Sequence, residues 1–168
     1  NQIESAGAII LSRTQKVSAE KLTAAVAERR ITKEYLAVLR GHPQENAATL
    51  TDLLFRDASR NKSYVVKRMR KGVREASLEY VTLGRTEELT LVQVRLHTGR
   101  THQIRVHFSH LGYPLAGDFL YNPDYRLIGR QALHSWQLDF IHPIKKEPVD
   151  VSCPPPRRWP WTLFPETE

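Results

Sequence analysis

The chain has 168 residues, 40% of them hydrophobic and 26% charged, which is one domain's worth of ordinary globular sequence at about 150 residues per domain. Its single cysteine, Cys153, excludes a disulfide scaffold, a zinc ribbon or an iron–sulfur cluster, and no apolar run approaches the ~18 residues of a membrane span. The net charge of +7 sits wholly in one stretch, Arg56–Arg74, where eight basic residues face the single acid Asp57.

Ala8–Leu11 is a short apolar run that predicts a buried strand. A helix is predicted over Ser18–Arg30, with Leu22, Ala25, Val26 and Arg29 at helical spacing and Ser18 as N-cap. Strand character returns at Ile31–Leu39, and His42–Ala48 reads as a polar loop. Within the basic stretch, Tyr64-Val65-Val66 predicts a short strand, so the cations decorate an ordered surface. Ala76–Leu83 and Leu89–Leu96 read as a hairpin across Gly84–Glu88. Thr101 is the expected N-cap of a helix over His102–Leu111, with Ile104, Phe108 and Leu111 as its apolar stripe and Gly112 at the left-handed C′ position. Two further strands follow at Ala132–Phe140 and Val149–Ser152. The proline-rich tail from Cys153 is expected to wrap the surface with Trp159 and Trp161 as plugs. Single helices among hairpin-linked strands indicate an α+β fold, one domain with a mainly antiparallel central sheet flanked by helices.

Clustered cations attract a polyanion, because neutralising phosphates releases condensed counterions. Arg56, Arg60, Lys62, Lys67, Arg68, Arg70, Lys71 and Arg74 are therefore the candidate nucleic-acid contacts. A solvated basic loop is the plainer reading, and a membrane surface is disfavoured because no amphipathic helix accompanies the run. The densest polar stretch is His97–His107, HTGRTHQIRVH. Backbone N–H groups at a helix start, with Arg100 and Arg105 beside them, make a seat for phosphate or carboxylate. Its histidines do not read as metal ligands: His102 and His107 lie on different helix faces, and no carboxylate stands near His107 and His110 in sequence.

Thr98–His107 (TGRTHQIRVH), then Leu111–Asp118 (LGYPLAGD) and Tyr121, closely resemble the signature of the RluA-type pseudouridine synthases. The resemblance extends in order through Ile31–Val38, Glu75–Tyr80 and Leu133-His134-Ser135, nearly the whole chain. It implies a pseudouridine-synthase-like domain over residues 1–168 with a central RNA-binding cleft, isomerising uridine in structured RNA (rRNA or tRNA) without metal or organic cofactor. The base is detached at N1, turned, and rejoined through C5, which requires a flipped-out uridine. In the family an aspartate does the covalent work. Carried onto matching positions, Arg105 is that aspartate's partner and Tyr35 stacks on the uracil, with Arg100, His102 and Gln103 as further RNA contacts. A monomer is expected, in the cytoplasm or an organelle matrix, where a lone thiol stays reduced.

One position departs from the pattern. The family motif His-Arg-Leu-Asp, two variable residues, Thr-Ser-Gly matches Ser5-Ala6-Gly7 at its end and places Gln2 where the aspartate belongs. Glutamine is neither nucleophile nor counter-charge, so Arg105 is expected to find Glu4, a bound anion or water. The chain, opening at Asn1 without methionine, reads as a fragment or processed form incomplete at its N-terminus. Three explanations stand side by side: a natural RNA-binding homologue that does not modify its target, an altered start, or an aspartate upstream of Asn1.

Overall fold

The computed structural model describes residues 6–7, 31–122, 130–142 and 145–167. Gln2, Glu4, the strand expected at Ala8–Leu11 and the helix expected at Ser18–Arg30 lie outside the described residues. The strands are β1 (Ala6–Gly7), β2 (Thr32–Arg40), β3 (Ala47–Asp57), β4 (Lys62–Val66), β5 (Val73–Arg85), β6 (Leu89–Leu96), β7 (Leu133–Ile141) and β8 (Pro148–Ser152), with helix α1 (Gln103–Leu111) between β6 and β7. They form one sheet in the order β1-β7-β2-β6-β5-β3-β4, with β8 also on β7. Every pairing is antiparallel except β1 with β7. The α+β reading with a mainly antiparallel sheet holds.

The core has two layers, one on each face of the sheet. On the α1 face, Ala37 and Leu39 of β2, Leu78 and Tyr80 of β5, and Val92 and Val94 of β6 pack with Ile104, Phe108 and Leu115. On the other face, Leu36, Val38, Leu89 and Leu91 pack with Ala116, Ala132, Trp161 and Phe164. Strands buried on both faces need apolar residues at consecutive positions, which is why β2 and β6 read as continuous runs rather than alternations.

Four expectations are corrected. β3 begins at Ala47, inside the expected loop, and runs to Asp57. Its residues Ala48, Leu50 and Leu54 pack inward, but Asp52 on the same face pairs with His107 of α1, so a carboxylate interrupts the pattern. Helix α1 starts after His102, which holds a left-handed backbone (φ 56°) with no side-chain cap, so Thr101 does not serve as N-cap. Leu111 is 40% exposed and leaves the stripe, while Val106 is buried. Gly112 does end the helix in the left-handed conformation, with the Tyr113 N–H reaching Phe108 O at 2.8 Å. In the tail Trp161 is 5% exposed and plugs the sheet, but Trp159 is 40% exposed. The 3₁₀ turn over Trp161–Leu163 brings Trp161 and Phe164 to one side, as i and i+3 residues of such a turn must lie, and Trp159 is left outside.

The inward Asp52 has a partner of its own kind. His107 is buried, its Nδ1 lies 2.7 Å from Asp52 Oδ2, and its Nε2 has no hydrogen-bond partner. Burial pulls its pKa below the ordinary 6.5, outweighing the opposing pull of Asp52. The unfolded chain therefore takes the proton first, so this histidine supports folding fully above about pH 6.5 and progressively less below it. Each unit of depression is worth about 1.4 kcal/mol. Denaturant midpoints should fall between pH 7.5 and 5.5 in the native sequence, and that fall should shrink in His107→Asn, whose amide can still donate to Asp52 but does not titrate. An equal fall in both proteins would assign the pH dependence elsewhere.

Candidate active site and nucleic-acid interface

A cavity of about 120 Å³ lies between the sheet and the start of α1, lined by Tyr35, Leu96 and Leu133 from the strands and by Arg100, His102, Gln103, Ile104 and Arg105 from the helix side. Tyr35 and Arg105, far apart in sequence, thus share one cavity. Tyr35 sits at an irregularity in the β2–β7 ladder: Glu34 pairs with Gln137 but Tyr35 with Ser135, leaving Trp136 as the extra residue. Such bulges re-aim side chains, here beside the cavity. Burial raises the Tyr35 pKa, so its ring presents a neutral face.

Arg105 is held differently from the sequence expectation. Its Nε and Nη2 donate to Oδ2 and Oδ1 of Asp118, each at 2.8 Å, in a fully buried fork. Among the described residues the carboxylate partner is Asp118, a residue of the LGYPLAGD stretch itself; the expected partner Glu4 lies outside the described residues. Asp118 Oδ1 also accepts the N–H groups of Leu120 and Tyr121 at 3.0 and 3.2 Å, so the same carboxylate shapes the following turn. That turn lays Phe119 and Tyr121 over the guanidinium, with ring centroids 5.8 and 5.2 Å from its carbon. The anion seat expected at the helix start thereby loses Arg105 to Asp118, and the Gln103 N–H is taken by Arg100 O at 3.1 Å.

The loop between β6 and α1 is stapled to β5. Ser77 N–H donates to Thr98 Oγ1 at 2.9 Å, Gln103 Nε2 donates to Ser77 O at 2.9 Å, and Gln103 Oε1 accepts from Thr98 Oγ1 at 2.7 Å and from Arg100 N at 2.9 Å. The Gln103 amide thus works inside the protein, where it fixes the cavity wall. Exposed Arg100 is oriented by an Nε donation to Glu75 O at 3.1 Å. His102 packs edge-on against Tyr121, and its Nδ1 lies 3.0 Å from the Tyr121 hydroxyl.

The basic segment is ordered, as expected. Arg56 and Arg60 flank the β3–β4 turn, half-buried Lys62 lies on β4, Lys67, Arg68, Arg70 and Lys71 form the exposed β4–β5 loop, and Arg74 is exposed on β5. Arg70 lies over Phe55, 5.0 Å from its ring centroid. Tyr121 joins this hairpin to the cavity: its hydroxyl accepts the Ser63 N–H at 2.8 Å, its ring lies 5.1 Å from Lys62 Nζ, and Ser63 Oγ donates to Thr101 O at 2.8 Å. Asp118 and Tyr121 stood inside the recognised motif. Asp52 and Ser63 carried no signal, because their roles arise from contacts across strands.

The family profile described as RNA pseudouridylate synthase matches residues 3–110. A Bacillus subtilis protein named as an uncharacterized RNA pseudouridine synthase is 38% identical over 129 residues, covering 76% of this chain and 44% of its own. A Zymomonas mobilis protein named ribosomal large subunit pseudouridine synthase D is 31% identical over 163 residues, covering 92% of this chain and 50% of its own. Among solved structures, human RNA pseudouridylate synthase domain containing 1 superposes with a TM-score of 0.73 at 29% identity, over 92% of this chain and 64% of that one. The chain spans about half the length of the curated relatives it matches. Sequence and fold converge: the chain belongs to the RNA pseudouridylate synthase family.

Proposed function

We propose that this chain is the core of an RNA pseudouridine synthase that flips a uridine into the cavity between Tyr35 and Arg105. The observation that carries the reading is the meeting of these two side chains in one cavity joined through Tyr121 to the basic hairpin. The hairpin holds phosphates and fixes register, and the Tyr35 face replaces the stacking that the flipped base loses. Isomerisation breaks the N1–C1′ bond, forms C5–C1′, moves the C5 proton to solvent and returns one to N1. No atoms are gained or lost. Arg105, oriented by Asp118, supplies the cation for the carboxylate that the reaction needs. Ribosomal RNA is the favoured target on the strength of the relative named for the large ribosomal subunit, and a monomer in the cytoplasm or an organelle matrix is the proposed state.

A second reading has its own observation. In the sequence register Gln2 falls at the aspartate position, and among the described residues Asp118 already gives Arg105 a carboxylate. On this reading the chain binds RNA without modifying it. Incubation with unmodified cellular RNA and chemical mapping of pseudouridine, for the native sequence and for Gln2→Asp, separates the two. Product from Gln2→Asp alone is the expected result and shows the rest of the site to be competent. Product from the native sequence would locate the nucleophile elsewhere, and product from neither would favour the binding role.

A further inference from the structure

A second cavity, of about 390 Å³, opens where the approach to β7 meets the C-terminal tail, and neither the cavity of Tyr35 and Arg105 nor the basic hairpin accounts for it. Its volume falls in the range of about 300–1,000 Å³ usual for small-ligand sites. Its lining includes Arg130, Leu133, His134, Arg158, Trp159 and Trp161, and among the described residues no acidic side chain takes part. Trp161 is fixed in the core, whereas Trp159 keeps a large aromatic surface open to solvent, flanked by exposed arginines. His134 is buried behind them, its Nε2 2.7 Å from Cys153 O.

We propose that this cavity is a second nucleotide subsite, in which one unstacked nucleotide of the RNA stacks on Trp159 with its phosphate on Arg158 and Arg130. The aromatic face and the two permanent cations match the two halves of a nucleotide. Leu133, the first residue of β7, lines both cavities, this one toward the Trp161 face of the sheet and the first toward the α1 face, so one RNA strand rounding the start of β7 would serve both. The proposal rests on the RNA reading above and extends it from one flipped base to a neighbouring nucleotide.

The test uses the whole chain, a short single-stranded oligouridylate, free UMP and a blunt RNA duplex, read by tryptophan fluorescence and by competition binding. The oligouridylate should quench emission, and Trp159→Phe should remove that quenching while keeping most of the affinity. Trp159→Ala should weaken oligouridylate binding by about 5- to 150-fold, the range for loss of one base–aromatic stack. Arg158→Gln should flatten the salt dependence by about one unit of slope. Quenching by UMP alone, with unaltered oligonucleotide affinity in Trp159→Ala, would reassign the cavity to a free nucleotide and overturn the proposal. Trp159 is exposed, so these variants should melt like the native chain. If the oligonucleotide binds with a salt slope that depends on the basic hairpin but not on Trp159 or Arg158, the subsite is overturned and the RNA reading survives. If no RNA form binds, both fall together.

Discussion

Asp118→Asn should destabilise the fold by about 3–5 kcal/mol, the cost of breaking a buried ion pair at one side. The substitution keeps the side chain's size but removes the charge that faces Arg105 through two 2.8 Å hydrogen bonds. It also weakens the acceptor for the Leu120 and Tyr121 N–H groups, so the turn that carries Phe119 and Tyr121 over the guanidinium loosens as well. Denaturant unfolding at neutral pH measures the loss. Asp118→Leu combined with Arg105→Met should cost less than Asp118→Asn alone, because an apolar pair leaves no uncompensated charge. A loss under about 1 kcal/mol in the single variant would mean that another carboxylate balances Arg105.

Neutralising the β4–β5 loop should have the next largest effect, on RNA binding rather than on folding. Lys67, Arg68, Arg70 and Lys71 are all exposed, and of these Arg70 also lies over the Phe55 ring. Their combined change to glutamine should flatten log K against log salt by about three to four units, at slightly under one unit per phosphate contact. Between about 50 and 200 mM salt the native chain should then lose ~100-fold more affinity than the variant. Unfolding midpoints should stay close to native, since surface charges of this kind contribute little to stability. An unchanged slope would make the loop a solvated surface.

What could be read in the sequence depended on whether a residue's partner was near it or followed a regular period. Gly112 announced the end of α1 because a left-handed C′ position is a local demand. β2 and β6 announced themselves because burial on two faces writes an unbroken apolar run. β3 stayed hidden because Asp52 faces inward to meet His107, a contact spanning 55 residues. That Arg105 and Tyr35 line one cavity followed from the family resemblance, but the pairing of Arg105 with Asp118 did not, since a loop residue thirteen positions away has no periodicity to betray it. Trp159 and Trp161 are indistinguishable in composition; only the 3₁₀ turn after Pro160 decides which of them is buried.

The position of β4 at the end of the sheet has a consequence of another kind. A terminal strand offers its outer backbone groups to any extended chain, and edge-to-edge association is the usual hazard. β4 is only five residues long, Tyr121 already occupies the Ser63 N–H, and Lys62, Lys67 and Arg68 bracket the strand with like charge. Two copies approaching along this margin would bring their cations together before any ladder could form. The same lysines and arginines therefore act as guards against self-association, and a chain stripped of them would exchange its attraction for polyanions for an attraction to itself.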